Sequence, residues 1–138
     1  PIHNRNGWKI AQFLAGDTRV ARTHYPGLGC HKNYHIASVQ MEALDNGIPY
    51  GGMVSFELQG AKREAMMFVE KLREQKSVIT HAVSLGNRDS LIEIPSCGTH
   101  AKGKISDNLI RFSAGIESSA RLLDDFEKAL SAVFPVWV

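Results

Sequence analysis

The chain carries only two cysteines, Cys30 and Cys97, in 138 residues. Two thiols cannot build the disulfide framework that stabilises small secreted domains. No uninterrupted apolar run approaches the roughly 20 residues needed to cross a bilayer. The opening Pro-Ile-His-Asn-Arg-Asn has no apolar signal-peptide segment and no initiator Met, which reads as a processed or excerpted piece of cytoplasmic origin. Charge of one sign is scarce too: 16 Lys and Arg stand against 14 Asp and Glu, scattered rather than in blocks, for a net charge of +2. Such a surface offers little to nucleic acid or an anionic membrane. No glycine-rich phosphate loop follows a predicted strand. The histidines and cysteines, Cys97 with His100 included, do not fall into the paired clusters of structural zinc, so no metal is expected.

What is present is an ordinary globular composition, 43% hydrophobic and 22% charged. The length suits one domain that buries roughly two-thirds of its unfolded surface. Periodicity then orders the elements. Ile10, Phe13 and Leu14 form a helical stripe ended by Gly16-Asp17, and residues 20–25 read as a strand stopped by Pro26-Gly27. A short helix follows from Tyr34 to about Leu44, and a strand in which Val54, Phe56 and Leu58 alternate with polar residues. Residues 61–74 give a strong amphipathic helix with the stripe Ala61, Ala65, Phe68, Val69 and Leu72. Val78-Ile79 is a short apolar piece, and residues 90–94 form a strand ended by Pro95. The last helix, 119–132, carries Leu122, Phe126, Ala129, Leu130 and Val133, with Ser118 as its N-cap. This order fits an α/β (α+β) domain: a mixed, mostly antiparallel sheet with helices on one face.

Between the last two elements lies Leu109-Ile110-Arg111-Phe112-Ser113-Ala114-Gly115-Ile116-Glu117. Ile110 and Phe112 alternate with Leu109, Arg111 and Ser113, the pattern of a half-buried strand. Arg111 then points away from the core on a stiff backbone. Spacing alone makes it most simply a solvated or salt-bridged surface residue, although a guanidinium so held also suits bidentate capture of a carboxylate. Val83-Ser84-Leu85-Gly86 reads as a loop whose glycine supplies an unusual backbone conformation. Thr99, in Cys97-Gly98-Thr99-His100-Ala101, reads alone as a hydroxyl bonded to nearby backbone.

Taken together, these segments resemble the C-terminal domain of the pyridoxal-phosphate enzymes of cysteine and methionine metabolism, the trans-sulfuration family, nearest its methionine gamma-lyase and cystathionine gamma-lyase branch. Tyr25-Pro26-Gly27-Leu28, Gln40-Met41 and Gly51-Gly52-Met53-Val54-Ser55-Phe56 match family blocks in the same order, and the likeness runs from about residue 8 to 132. The resemblance implies that Arg111 grips the substrate's alpha-carboxylate, that Ser84 and Leu85 contact the same carboxylate and the lysine region, and that Thr99 braces the arginine. Val83 stands where members acting on cystathionine often carry an acid, which tilts the implied substrate toward methionine or another simple sulfur amino acid. Residues 1–15 would be the end of the helix joining two domains and 16–138 the substrate-carboxylate domain. Pyridoxal 5'-phosphate and its Schiff-base lysine would belong to a large N-terminal domain outside this chain, since Lys9, Lys32, Lys62, Lys71, Lys76, Lys102, Lys104 and Lys128 all stand outside the family's lysine context.

The sequence differs from the family pattern in a short 101–105 stretch, a longer 42–50 stretch, and Cys97-Gly98 where Ser-Met is common. The implied enzyme is a carbon–sulfur lyase, a homotetramer in the family, with this chain inactive by itself. The alternative is a non-catalytic binding or scaffold module.

Overall fold

The computed structural model describes residues 2–41, 47–98 and 105–136. Its centre is set by two alternating strands. Val54, Phe56 and Leu58 of β2 (Met53–Leu58) and Ile110 and Phe112 of β5 (Leu109–Ser113) are all fully buried. The strands pair antiparallel, with Phe56 opposite Ile110 and Val54 opposite Phe112, so both apolar sets fall on one face. β1 (Val20–His24) pairs antiparallel with β2, and β4 (Leu91–Glu93) antiparallel with β5. β3 (Thr80–His81) runs parallel to β4, giving a five-stranded sheet of order β1-β2-β5-β4-β3.

Three helices supply the other half of the core. α1 (Ile2–Gly16) buries Ile10, Ala11 and Leu14. α3 (Lys62–Glu74) buries Ala65, Phe68, Val69 and Leu72, and α4 (Ser119–Val133) buries Leu122, Phe126, Ala129, Leu130 and Val133. Each set recurs at three- and four-residue intervals, one stripe per helix. Phe126 meets Phe56, Phe68 and Phe112 at ring-centroid distances of 5.9, 5.5 and 5.2 Å, the last two edge-on. The short α2 (Tyr34–Gln40) buries only Ala37.

Polar side chains fix the layers against each other. The buried Asp125 of α4 accepts the Ser77 hydroxyl at 2.6 Å and the Val78 N–H at 3.1 Å, tying α4 to the segment leading into β3. Asn6 of α1, also buried, donates to the carbonyls of Gly115 and Glu117 at 3.0 and 2.8 Å. No described helix is long and apolar enough to cross a membrane.

The architecture is the mixed, mostly antiparallel sheet with helices on one face that the periodicity predicts. Four details differ. A two-residue β3 precedes β4, because two exposed residues carry no periodic signal but can still pair with a neighbour. α2 ends at Gln40, with Met41 extended, so it is shorter than expected; residues 42–46 lie outside the described residues. Ala61 is not part of the α3 stripe: it is exposed at the N-cap, where its N–H donates to the Glu64 carboxylate at 2.8 Å. Ser118 does occupy the N-cap of α4, but its hydroxyl makes no capping hydrogen bond.

Candidate functional site

The face of the sheet turned away from the helices begins with a row of three residues. Ser55 of β2, Arg111 of β5 and Glu93 of β4 lie side by side in register. Their inward-facing neighbours Val54, Phe112 and Ile92 form the corresponding row in the core. Alternation therefore delivers Arg111 to this face, and core packing holds its backbone still.

The Arg111 side chain is 27% exposed and the Glu93 side chain 8%. Arg111 Nη2 forms an ion pair with Glu93 Oε1 and donates to the Ser84 carbonyl at 3.0 Å. Among the described residues, Nε and Nη1 of Arg111 have no hydrogen-bond partner. One nitrogen is thus anchored, while among the described residues the remaining donors have no partner. Arg111 is salt-bridged, as spacing alone suggested, yet the pair lies on the open face and not under the helices.

Loop 82–90 lies beside this row and is held at several points. The Gly86 N–H donates to the Ser113 hydroxyl at 3.0 Å, and Gly86 has φ +69°, a conformation that favours glycine. His3 Nε2 of α1 lies 3.0 Å from the Asn87 carbonyl. The Ile116 N–H donates to the Arg88 carbonyl at 2.8 Å. Glu117 takes the Ser90 N–H at 2.6 Å on one oxygen and the Ser90 hydroxyl at 2.8 Å on the other. Gly115 allows this close approach: a Cβ there would stand 2.3 Å from the Arg88 carbonyl oxygen and 2.5 Å from the Ser90 nitrogen. The Gly115-Ile116-Glu117 end of the long motif is therefore a clasp for the loop that carries Ser84.

The structure brings Arg111, Ser84 and Leu85 into one neighbourhood. Ser84 touches the arginine through its backbone carbonyl. Leu85 is 59% exposed and lines a cleft of about 230 Å³ with His3, Gly52, Met53, Gly86 and Ser113. Val83, 78% exposed, does not line that cleft. Thr99 lies outside the described residues. A larger cleft of about 550 Å³ runs along β1 past Arg22, His24, His31 and Lys32, away from the predicted site residues.

Glu93 is the residue that sequence reasoning missed. Its signal was a single acid inside the apolar run Leu91-Ile92-Glu93-Ile94, and that signal does not say which cation faces it.

Among the described residues no lysine accompanies these groups on the sheet. The described lysines, Lys9, Lys32, Lys62, Lys71, Lys76 and Lys128, lie on helices or loops, and none is on a strand of the sheet. Lys71 pairs with Glu74 and Lys128 with Asp124, both at 2.6 Å, while Lys9 reaches the Ser119 hydroxyl at 3.0 Å. The residues described here do not supply a Schiff-base lysine beside Arg111.

Residues 2–131 match the family model described as Cys/Met metabolism PLP-dependent enzyme. The chain belongs to that family. It is 38% identical to the cystathionine gamma-lyase of Mus musculus over 141 residues, covering 96% of this chain and 33% of that protein. Against the cystathionine beta-lyase of Lactococcus lactis subsp. cremoris the identity is 41% over 136 residues, covering 93% and 33%. The crystal structure of metB from Corynebacterium glutamicum superposes with a TM-score of 0.85 at 35% identity, covering 96% of this chain and 33% of that one. The family member described here therefore spans about a third of the length of these relatives.

Proposed function

We propose that this chain is the substrate-carboxylate domain of a pyridoxal-phosphate-dependent carbon–sulfur lyase acting on sulfur amino acids. The observation that carries this reading is the Arg111 guanidinium: anchored at Nη2, partly sheltered, and with Nε and Nη1 unpartnered among the described residues. The N–H donors on Nε and Nη1 remain for a carboxylate, and charge-assisted hydrogen bonds of this kind are among the strongest a protein makes. Arg111 binds and orients the amino acid. Ser84 and Leu85 shape the same end of the site, Val83 faces the substrate side chain, and the family resemblance assigns Thr99 the bracing of the arginine.

The cofactor is held outside this chain, together with its lysine, a division that accords with the chain spanning about a third of the length of its relatives. The complete enzyme converts a substrate such as methionine and water to a thiol, a 2-oxo acid and ammonia, in a homotetramer in the cytoplasm. Two free, exposed cysteines accord with a reducing compartment.

Two assays test the proposal. The 138-residue chain, supplied with pyridoxal phosphate and L-methionine, is expected to release no thiol; release proportional to its concentration would contradict the division of labour. In the complete enzyme Val83→Glu is expected to shift preference from methionine toward cystathionine, whose distal ammonium an apolar wall leaves unpaired. An unchanged preference would contradict the substrate reading.

A further inference from the structure

We infer that Glu93 is the positioning residue of the Arg111 clamp, an inference that rests on the carboxylate reading above. Glu93 is 6% exposed in a strand whose three residues are all buried. A carboxylate is costly to bury unless a cation and hydrogen-bond donors compensate it. Its partner is the residue directly across the strand pair, Arg111.

The geometry of the contact gives it a role beyond holding the sheet together. Glu93 meets Nη2, the same nitrogen that donates to the Ser84 carbonyl at 3.0 Å. Two contacts on one nitrogen restrain the guanidinium, and among the described residues they leave Nε and Nη1 without a hydrogen-bond partner. The rotamer entropy of a long arginine is then lost during folding and not when a ligand arrives, which favours binding. A nearby carboxylate also has an opposing effect, because it partly neutralises the charge that attracts a second one. The two effects predict opposite results when Glu93 loses its charge, and positioning is the one assigned here.

The test follows the Arg111 side chain by ¹⁵N NMR in the 138-residue chain, with acetate as the carboxylate probe. In the wild type the Nη resonances are expected to be resolved, marking hindered rotation, and Nε to shift with acetate. Glu93→Gln is expected to average the Nη resonances and to cut the acetate-induced shift at least fivefold. Glu93→Asp, which keeps the charge but withdraws it by one methylene, should give intermediate values and decides the matter if Glu93→Gln does not fold. Glu57→Gln is the control, since Glu57 pairs with His24 at 3.1 Å and does not touch Arg111; it should change neither signal. Resolved Nη resonances in Glu93→Gln, or an equal or larger acetate response, would overturn the positioning role. An Arg111 that is freed by Glu93→Gln but indifferent to acetate in the wild type would overturn the carboxylate reading alone.

Discussion

The Ser113 hydroxyl accepts the Gly86 N–H at 3.0 Å, two residues along β5 from Arg111 and two residues along the loop from Ser84. The same pair of segments is thus joined twice, once through Ser113 and Gly86 and once through Arg111 and Ser84. Position of the loop and orientation of the guanidinium are set together. Four features of the fold have measurable effects on stability, and Arg111 has one on recognition.

Gly115→Ala would drive a methyl group to within 2.3 Å of the Arg88 carbonyl oxygen and 2.5 Å of the Ser90 nitrogen, both main-chain atoms that cannot swing aside. The expected loss is about 2 kcal/mol or more, at the upper part of the usual overpacking range. Urea unfolding should show a lower midpoint at unchanged slope. Ile116→Ala, at a 43% exposed neighbour, should cost far less.

Asp125→Ala removes the acceptor for the Ser77 hydroxyl and the Val78 N–H, and leaves both donors partly buried without it. Losing a hydrogen-bonded charge in this way costs about 2–3 kcal/mol. A loss below about 0.5 kcal/mol by thermal or urea unfolding would show that water replaces the carboxylate without penalty.

α3 ends in a Schellman turn, in which Ser77 N–H bonds to the Leu72 carbonyl and Lys76 N–H to the Arg73 carbonyl, both at 3.1 Å. Lys76 holds φ 53° there, the left-handed region that suits glycine. Lys76→Gly is therefore expected to raise stability by about 0.5–1 kcal/mol, after allowing for the added freedom of the unfolded chain. A fall in the urea midpoint would contradict this account of the helix end.

Acid should weaken the junction of α1, β1 and α4. The Arg19 guanidinium, hydrogen-bonded to Asp17 and Glu127 at 2.6 and 2.7 Å, holds both carboxyls below their ordinary range. Carboxyls with folded values below their unfolded ones stabilise the fold above the unfolded value, near pH 4, and that contribution disappears as pH falls through the folded values. The wild type should lose stability from about pH 4.5 downward, and Arg19→Met should flatten that part of the profile. Parallel pH profiles for the two proteins would count against it.

The elements that packing dictates were visible in the chain itself. Phe56 and Phe112 announce their strands by alternation, and Phe68 and Phe126 their helices by spacing, because each sits in a long stripe that only one geometry buries. β3 escaped notice because Thr80 and His81 are both exposed and owe their strand conformation to Leu91 and Ile92 alone. The partner of Arg111 was hidden for a related reason. Pairing Arg111 with Glu93 depends on the β4–β5 register across an 18-residue separation, and no local pattern encodes that register. The Gly115-to-Glu117 end of the motif could be recognised as distinctive, while its task of clasping Ser90 became evident only in three dimensions.

The most direct test of Arg111 as the carboxylate-binding residue compares L-methionine with L-methioninamide in the complete pyridoxal-phosphate-loaded enzyme containing this chain. Removing a charge partner from a sheltered carboxylate costs several kcal/mol, so Arg111→Met should lower kcat/KM for methionine by about 100-fold or more. The amide has no carboxylate to lose, and its kcat/KM should change by less than about fivefold. Equal losses for the two substrates, or a methionine kcat/KM unaffected by the substitution, would contradict the account.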